Sequence, residues 1–212
     1  MTPELRLRLH QMRLHQRVKS VGSYRSALRA GVRGLWNGEL DLLLFGDQFD
    51  SAINRYFTEA WVAGMAEAGL SKEDMNADEQ RALADMIFAE EGYVSGFGQD
   101  ILAESKAAGF PLEPHFQRVE MWVKRYANVK NQALQLARTD PVLEWVTHAA
   151  ESCTSCLKLN GQRRRSSTWA KVDLRPQHPK LECMRSAGGV DVCKCTFNVT
   201  DQSPTRGRLP KV

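Results

Sequence analysis

Apolar residues recur every three or four positions along most of the first 150 residues, which is the spacing of helices with one buried face. The strongest run is Phe116, Val119, Trp122, Tyr126, Val129, Ala133 and Leu136. It follows a turn marked by Pro111 and Pro114. A second run, Leu42, Phe45, Phe49, Ile53, Tyr56 and Ala60, predicts a helix from residue 42 to about Gly69, a natural C-terminal stop. Two start signals follow, Ser71 with Asp74 and Asn76 with Glu79, and the second predicts a helix over 77–91. Gly92, Gly96 and Gly98 are expected to loosen the chain around Tyr93 and Phe97, with a helix near 99–108 ending at Gly109. At the N-terminus, residues 3–20 read as a helix opened by Thr2 and Pro3. A short helix over 23–33 is then broken by Gly31, Gly34, Asn37 and Gly38. Asp140-Pro141 interrupts the long helix, and the stretch Val142–Ala150 is expected to resume it.

At Cys153 the pattern changes. Pro, Gly, Arg, Ser and Cys become frequent and the helical period disappears. Residues 151–200 read as loops and short strands around 163–169 and 194–200, with too few apolar residues for a core of their own, so the region needs a staple or support from the helical body. The fold class is therefore mainly α: a helical body carrying a small, loop-rich α+β module. The expected division is a basic arm over 1–35, a helical body over 36–150, a cysteine-rich module over 151–200 and a basic flexible tail over 201–212.

Charge sharpens this picture. The net charge of +4 conceals basic ends and an acidic waist: +7 over 1–33, −12 over 39–105, +2 over 106–146 and +7 over 147–212. Basic ends suit a polyanion, an acidic partner, or an acidic surface of the same assembly. The arm carries Arg6, Arg8, Arg13 and Arg17 among leucines. It fits a solvated helix, a nucleic-acid or partner contact, or a helix lying on a membrane surface. Arg163, Arg164 and Arg165 form a second basic run, either a solvated face or a contact for phosphate or an acidic partner. No apolar run approaches the ~20 residues of a membrane-spanning helix, and no secretory signal is recognisable. The arginine–leucine alternation leaves a transit-peptide reading open. A reducing compartment is the expectation, in which cysteines serve metals or chemistry more than disulfides.

The five cysteines then carry the chemistry: Cys153 and Cys156 in a C-x2-C, Cys183, and Cys193 and Cys195 in a C-x-C. A thiolate pair on a tight turn, completed by distant thiolates, is how a structural zinc ion is held in a module without a core. The spacings match no common iron–sulfur run. Cys153, Cys156 and Cys183 are the first three ligands, with Cys195 or Cys193 the fourth. Unmetallated structural cysteines, a redox pair and a catalytic zinc are the alternatives. His148 and His178 read as packing histidines, with ligation the alternative, and Trp169 as packing on the knuckle. The acids of 39–105 sit at helical spacing as solvated faces, and no phosphate loop, nucleophile elbow or HExxH is present. A non-enzymatic protein is expected.

The segment W-V-T-H-A-A-E-S-C-T-S-C-L-K-L-N-G-Q (145–162), with Trp169, His178-Pro179 and Cys193-Lys194-Cys195, resembles the C-terminal region of phage head-morphogenesis proteins of the Mu F-like minor head group. Cys183 and a Gly-Gly insert depart from the compact form, in which His-Pro leads almost directly into C-x-C. The resemblance is specific over about 145–196. It implies a minor structural protein of a tailed-phage or prophage particle, assembled in the host cytoplasm, with portal or other capsid proteins and packaged DNA as partners. The rival readings are a zinc-dependent nucleic-acid-binding or regulatory module and a toxin or nuclease-type enzyme.

Overall fold

The computed structural model describes the backbone of residues 3–148, 152–185 and 193–212, and side chains from residue 20 onward within those ranges. It is mainly helical, with a small sheet and a cysteine-rich C-terminal region. Five longer helices come first: α1 (Pro3–Asn37), α2 (Leu42–Glu67), α3 (Ala77–Glu91), α4 (Val94–Ala103) and α5 (Glu113–Leu136). Then come strand β1 (Val142–Val146), α6 (Thr154–Leu159), β2 (Arg163–Arg165), α7 (Ser166–Lys171), α8 (Glu182–Arg185) and β3 (Thr196–Val199). The chain forms two compact units. One is Met1–Glu59 with Asp85–Val123; the other is Ala60–Ala84 with Lys124–Val212.

In the first unit α1 is one continuous helix, not the two pieces expected. It buries Tyr24, Leu28, Val32 and Leu35 at helical spacing. Each glycine within a helix costs about 1 kcal/mol against alanine, which this buried stripe outweighs. Gly34 also serves packing, because a Cβ there would lie 2.7 Å from the Leu40 side chain. The break comes only at Gly38, whose φ of +77° ends the helix. The same explanation covers α4, which starts at Val94 and not near residue 99. A Cβ on Gly98 would lie 2.8 Å from Leu42 and 3.1 Å from Phe45, so the glycine admits a close approach to α2. Phe45, Phe49, Phe97 and Trp122 fill this core as an aromatic group with ring centres 5.0–6.2 Å apart. Arg25 grips Glu120 through two bonds of 2.8 and 3.0 Å, joined by Arg29 at 3.1 Å.

The cap read at Thr2 lies outside the described residues; the one read at Asn76 is in place. Asn76 Oδ1 accepts from Asp78 N and Glu79 N at 2.9 Å, and Glu79 Oε2 accepts from Asn76 N at 2.9 Å. That reciprocal pair starts α3 at Ala77.

The second unit holds the sheet, in the order β2-β1-β3, with both pairings antiparallel. Val142–Val146 is thus a central strand, where a resumed helix was expected. The run Val-Leu-Glu-Trp-Val alternates, so a period of two sends Leu143 and Trp145 inward together. Its β-branched and aromatic residues suit a pleated surface. Residues 149–150 of the expected helix lie outside the described residues.

The cysteine-rich region builds its core jointly with helical segments, the support its few apolar residues called for. Trp145, Trp169 and Phe197 pack with ring centres 5.3–5.6 Å apart. Leu143, Leu159, Leu174 and Leu181 are buried in the same cluster as Ala68, Leu134 and Ala137 from the helical segments of this unit. Asn131 Oδ1 accepts from Phe197 N at 2.9 Å, and Gln135 donates to the Leu174 carbonyl at 3.0 Å. The compact unit accordingly includes Lys124–Val212 and Ala60–Ala84, across the division placed at 150. The tail is docked as well. Thr205 N donates to Arg163 O at 2.8 Å, Thr205 Oγ1 accepts from Arg163 N at 3.0 Å, and Leu209 packs against the core. The free edge of β2 is where those backbone groups find partners. Among the described residues, no helix is long and apolar enough to cross a membrane.

Candidate metal centre

The five thiols come from three places in the chain and meet. Cys153 is the N-cap of α6, Cys156 lies within that helix, Cys183 is on α8, and Cys193 and Cys195 lead into β3. Cys156 Sγ is 3.8 Å from Cys183 Sγ and 4.0 Å from Cys193 Sγ. Two three-sulfur groups result, Cys153–Cys156–Cys183 and Cys156–Cys193–Cys195, each with its sulfurs within 4.8 Å of one another. Cys156 belongs to both. A tetrahedral zinc site with Zn–S of ~2.3 Å has sulfurs about 3.8 Å apart along its edges. The two Cys156 distances match that edge and are far too long for an S–S bond, ~2.05 Å. The clustered cysteines could therefore hold a metal ion.

The surroundings favour thiolates at particular positions. Burial raises the Cys153 thiol, but N–H groups of Cys156 and Cys183 and the neighbouring thiols bring it below the ordinary value. Cys193 falls far below, held by bonds from Cys156 and Cys195 against the cost of burial. Cys156 is driven up by Cys193 and Cys195, and Cys183 by burial and Cys193. Cys195 is lowered by Cys156, but Cys193 and burial raise it to about 12. The physical content is simple. Once one sulfur in such a cluster ionises, its neighbours resist. A divalent cation removes that resistance by supplying the missing positive charge.

Four of the five are closed from solvent, at 1–4% exposure for Cys156, Cys183, Cys193 and Cys195. Sulfur-only donors, four of them buried, suit a structural ion.

Around them the structure sorts the other candidates. His178 is buried, but its Nδ1 accepts from Lys180 N at 3.1 Å and its Nε2 faces Asp173 at 3.3 Å. It orders the loop instead of ligating. His148 Nε2 pairs with Thr196 Oγ1 at 2.8 Å and joins neither sulfur group. Trp169 packs beside the centre as expected, and its indole N–H donates to Leu143 O at 3.2 Å. The basic run makes bonds within its own unit, with Arg165 left exposed. Arg164 is buried and donates to the carbonyls of Arg163 and Gly207. Arg163 bonds Gln202, and Arg165 donates to Asp140 O at 3.0 Å. Arg164 is thus excluded from phosphate contact, because its length and charge serve the fold. The side chains of Arg6, Arg8, Arg13 and Arg17 lie outside the described residues.

Gln177 is a participant that the sequence reading missed. Its Nε2 donates to Cys193 O at 3.2 Å, and its backbone N–H favours the Cys193 thiolate. It adopts φ of +62°, an unusual conformation for a residue with a side chain. The Pro176 and Pro179 that bracket it mark a fixed turn in sequence, but that signal pointed equally to His178.

No family model matches the chain, and neither the curated proteins nor the solved structures give a match.

Proposed function

We propose that this protein is a non-catalytic structural component, its C-terminal unit folded around one zinc ion, serving as a minor head protein of a tailed-phage or prophage particle. The observation that carries the reading is the convergence of four thiols on buried Cys156, two of them, Cys183 and Cys193, at tetrahedral-edge distances. Zinc is the ion that sulfur-only tetrahedral sites hold for structure, with no redox role. The particle assignment rests on the resemblance of residues 145–196 to the Mu F-like group. A protein with basic ends and an acidic waist suits an assembly of charged neighbours, including portal or other capsid subunits and packaged DNA. The internal engagement of Arg163, Arg164 and Arg165 favours this reading over a nucleic-acid-binding module.

Elemental analysis of the purified full chain is expected to give one zinc per chain, released together with reactivity of the thiols toward a chromogenic disulfide. Folded, metal-free protein with five reactive thiols would overturn the zinc centre. Particles from the strain that encodes the chain are expected to contain it; particles that assemble normally without it, in a deletion strain, would overturn the head-protein reading and leave the zinc centre standing.

A further inference from the structure

The first unit carries a cleft that the metal reading does not use. Leu42, Phe45 and Asp50 of α2 face Glu91 of α3 and Val94 and Ser95 of α4 around a cavity of about 160 Å³. Its chemistry is mixed. Leu42, Leu43 and Leu44 in the first turn of α2 are exposed, as are Phe88 and Tyr93 on the neighbouring elements. Asp50 Oδ1 is buried and accepts no hydrogen bond. Burial, and after it the neighbouring carboxylates Glu91 and Asp47, raise the Asp50 carboxyl above its ordinary value, so three acidic side chains gather at the cleft. Apolar side chains beside clustered acidic groups suit an occupant that is both leucine-rich and cationic.

This chain contains such a segment. Residues 3–19 interleave Leu5, Leu7, Leu9, Met12, Leu14 and Val18 with Arg6, Arg8, Arg13, Arg17 and Lys19. Of the other basic stretches, Arg163–Arg165 is engaged within its own unit, and the one leucine of the tail, Leu209, packs on its own core. The arm cannot reach the cleft of its own chain. It is the N-terminal part of the continuous helix α1. Gly31 of α1 packs at Phe45 and Phe49, level with the cleft, and Tyr24 packs against Tyr56 further along. At a rise of 1.5 Å per residue, residue 19 lies ~18 Å up the helix from Gly31, and residue 3 about 42 Å. Only another molecule brings the arm to this surface.

We propose that the acidic, leucine-rimmed cleft formed by α2, α3 and α4 is the docking site for the arginine–leucine arm, residues 3–19, of a second copy of this chain. Two copies related by a twofold axis each give one arm and receive one, which closes the assembly at a dimer. The interface is independent of the thiol cluster, so zinc content serves as a control for intact folding.

Sedimentation equilibrium of the full chain is expected to show a dimer at low salt, weakening at least tenfold on going to ~0.5 M salt as the charges are screened. A cleft variant, Asp47→Lys with Glu91→Lys, and an arm variant, Arg6→Glu, Arg8→Glu, Arg13→Glu and Arg17→Glu together, are each expected to be monomeric with unchanged zinc content. Mixed in equal amounts, they are expected to form a heterodimer, because both contacts are then complementary again. A full chain that stays monomeric at tens of micromolar would overturn the proposal. So would variants that still dimerise alone, which would place the interface elsewhere, or a mixture that fails to associate.

Discussion

Cys156→Ser is expected to abolish binding of the proposed zinc and unfold the C-terminal side of the second unit. Cys156 is the sulfur common to both three-sulfur groups. Its loss leaves one group with Cys153 and Cys183 and the other with Cys193 and Cys195. A serine hydroxyl does not replace a thiolate on a soft ion. Structural zinc contributes apparent binding free energies of about 10–16 kcal/mol near neutral pH, comparable with the whole stability of a domain, ~5–15 kcal/mol. The measurement is zinc content together with thermal unfolding followed by circular dichroism; full zinc and an unchanged melting temperature would refute the centre. The proposed zinc needs four of the five thiols, so one of Cys193→Ser and Cys195→Ser is expected to retain it. Acid should mimic Cys156→Ser. Ligating sulfurs are deprotonated in the folded state, whereas free thiols with pKa near 8.5 carry protons at neutral pH. The unfolded chain then binds more protons, so stability falls as pH falls.

Trp169→Ala is expected to destabilise the same unit by about 3–5 kcal/mol, the usual cost of deleting a buried tryptophan. Trp169 is fully buried between Trp145 and Phe197, at 5.6 and 5.3 Å. Its indole N–H also meets the Leu143 carbonyl. Removing it opens a cavity under the sheet and leaves that carbonyl short of a donor. The melting temperature is expected to drop while zinc stays bound at low temperature, since no ligand has changed. Equal loss of metal and structure at every temperature would mean that the aromatic core and the thiol centre cannot form separately. An unchanged melting temperature would contradict the packing described for the sheet.

Parts of this architecture were written plainly in the sequence, for local reasons. The Asn76–Glu79 pair starts α3 because both partners of the cap lie within four residues. Gly69 ends its segment with φ of +80° because only a glycine takes that conformation cheaply. The five cysteines stood out by residue type and spacing, and all five sit at the centre. What could not be read depends on contacts between distant segments. Gly34 and Gly98 look like breakers until Leu40, Leu42 and Phe45 are seen packed on them. Val142–Val146 is too short for its periodicity to separate strand from helix, and its pairing with β2 and β3 decides the matter. The role of Cys156 as the sulfur common to both groups, and the part of Gln177, follow from how α6, α8 and the approach to β3 come together. Spacing along the chain does not contain that information.

The clasp between Thr205 and Arg163 bears on how the protein can be handled in the laboratory. A shortened version stopping near Asp201 would strip the partners from both backbone groups of Arg163. It would also lift Leu209 off the hydrophobic cluster. Bare main-chain groups beside exposed leucine recruit strands from other molecules. Trimming the C-terminus to tidy an expression product would therefore yield precipitate in place of a smaller soluble protein.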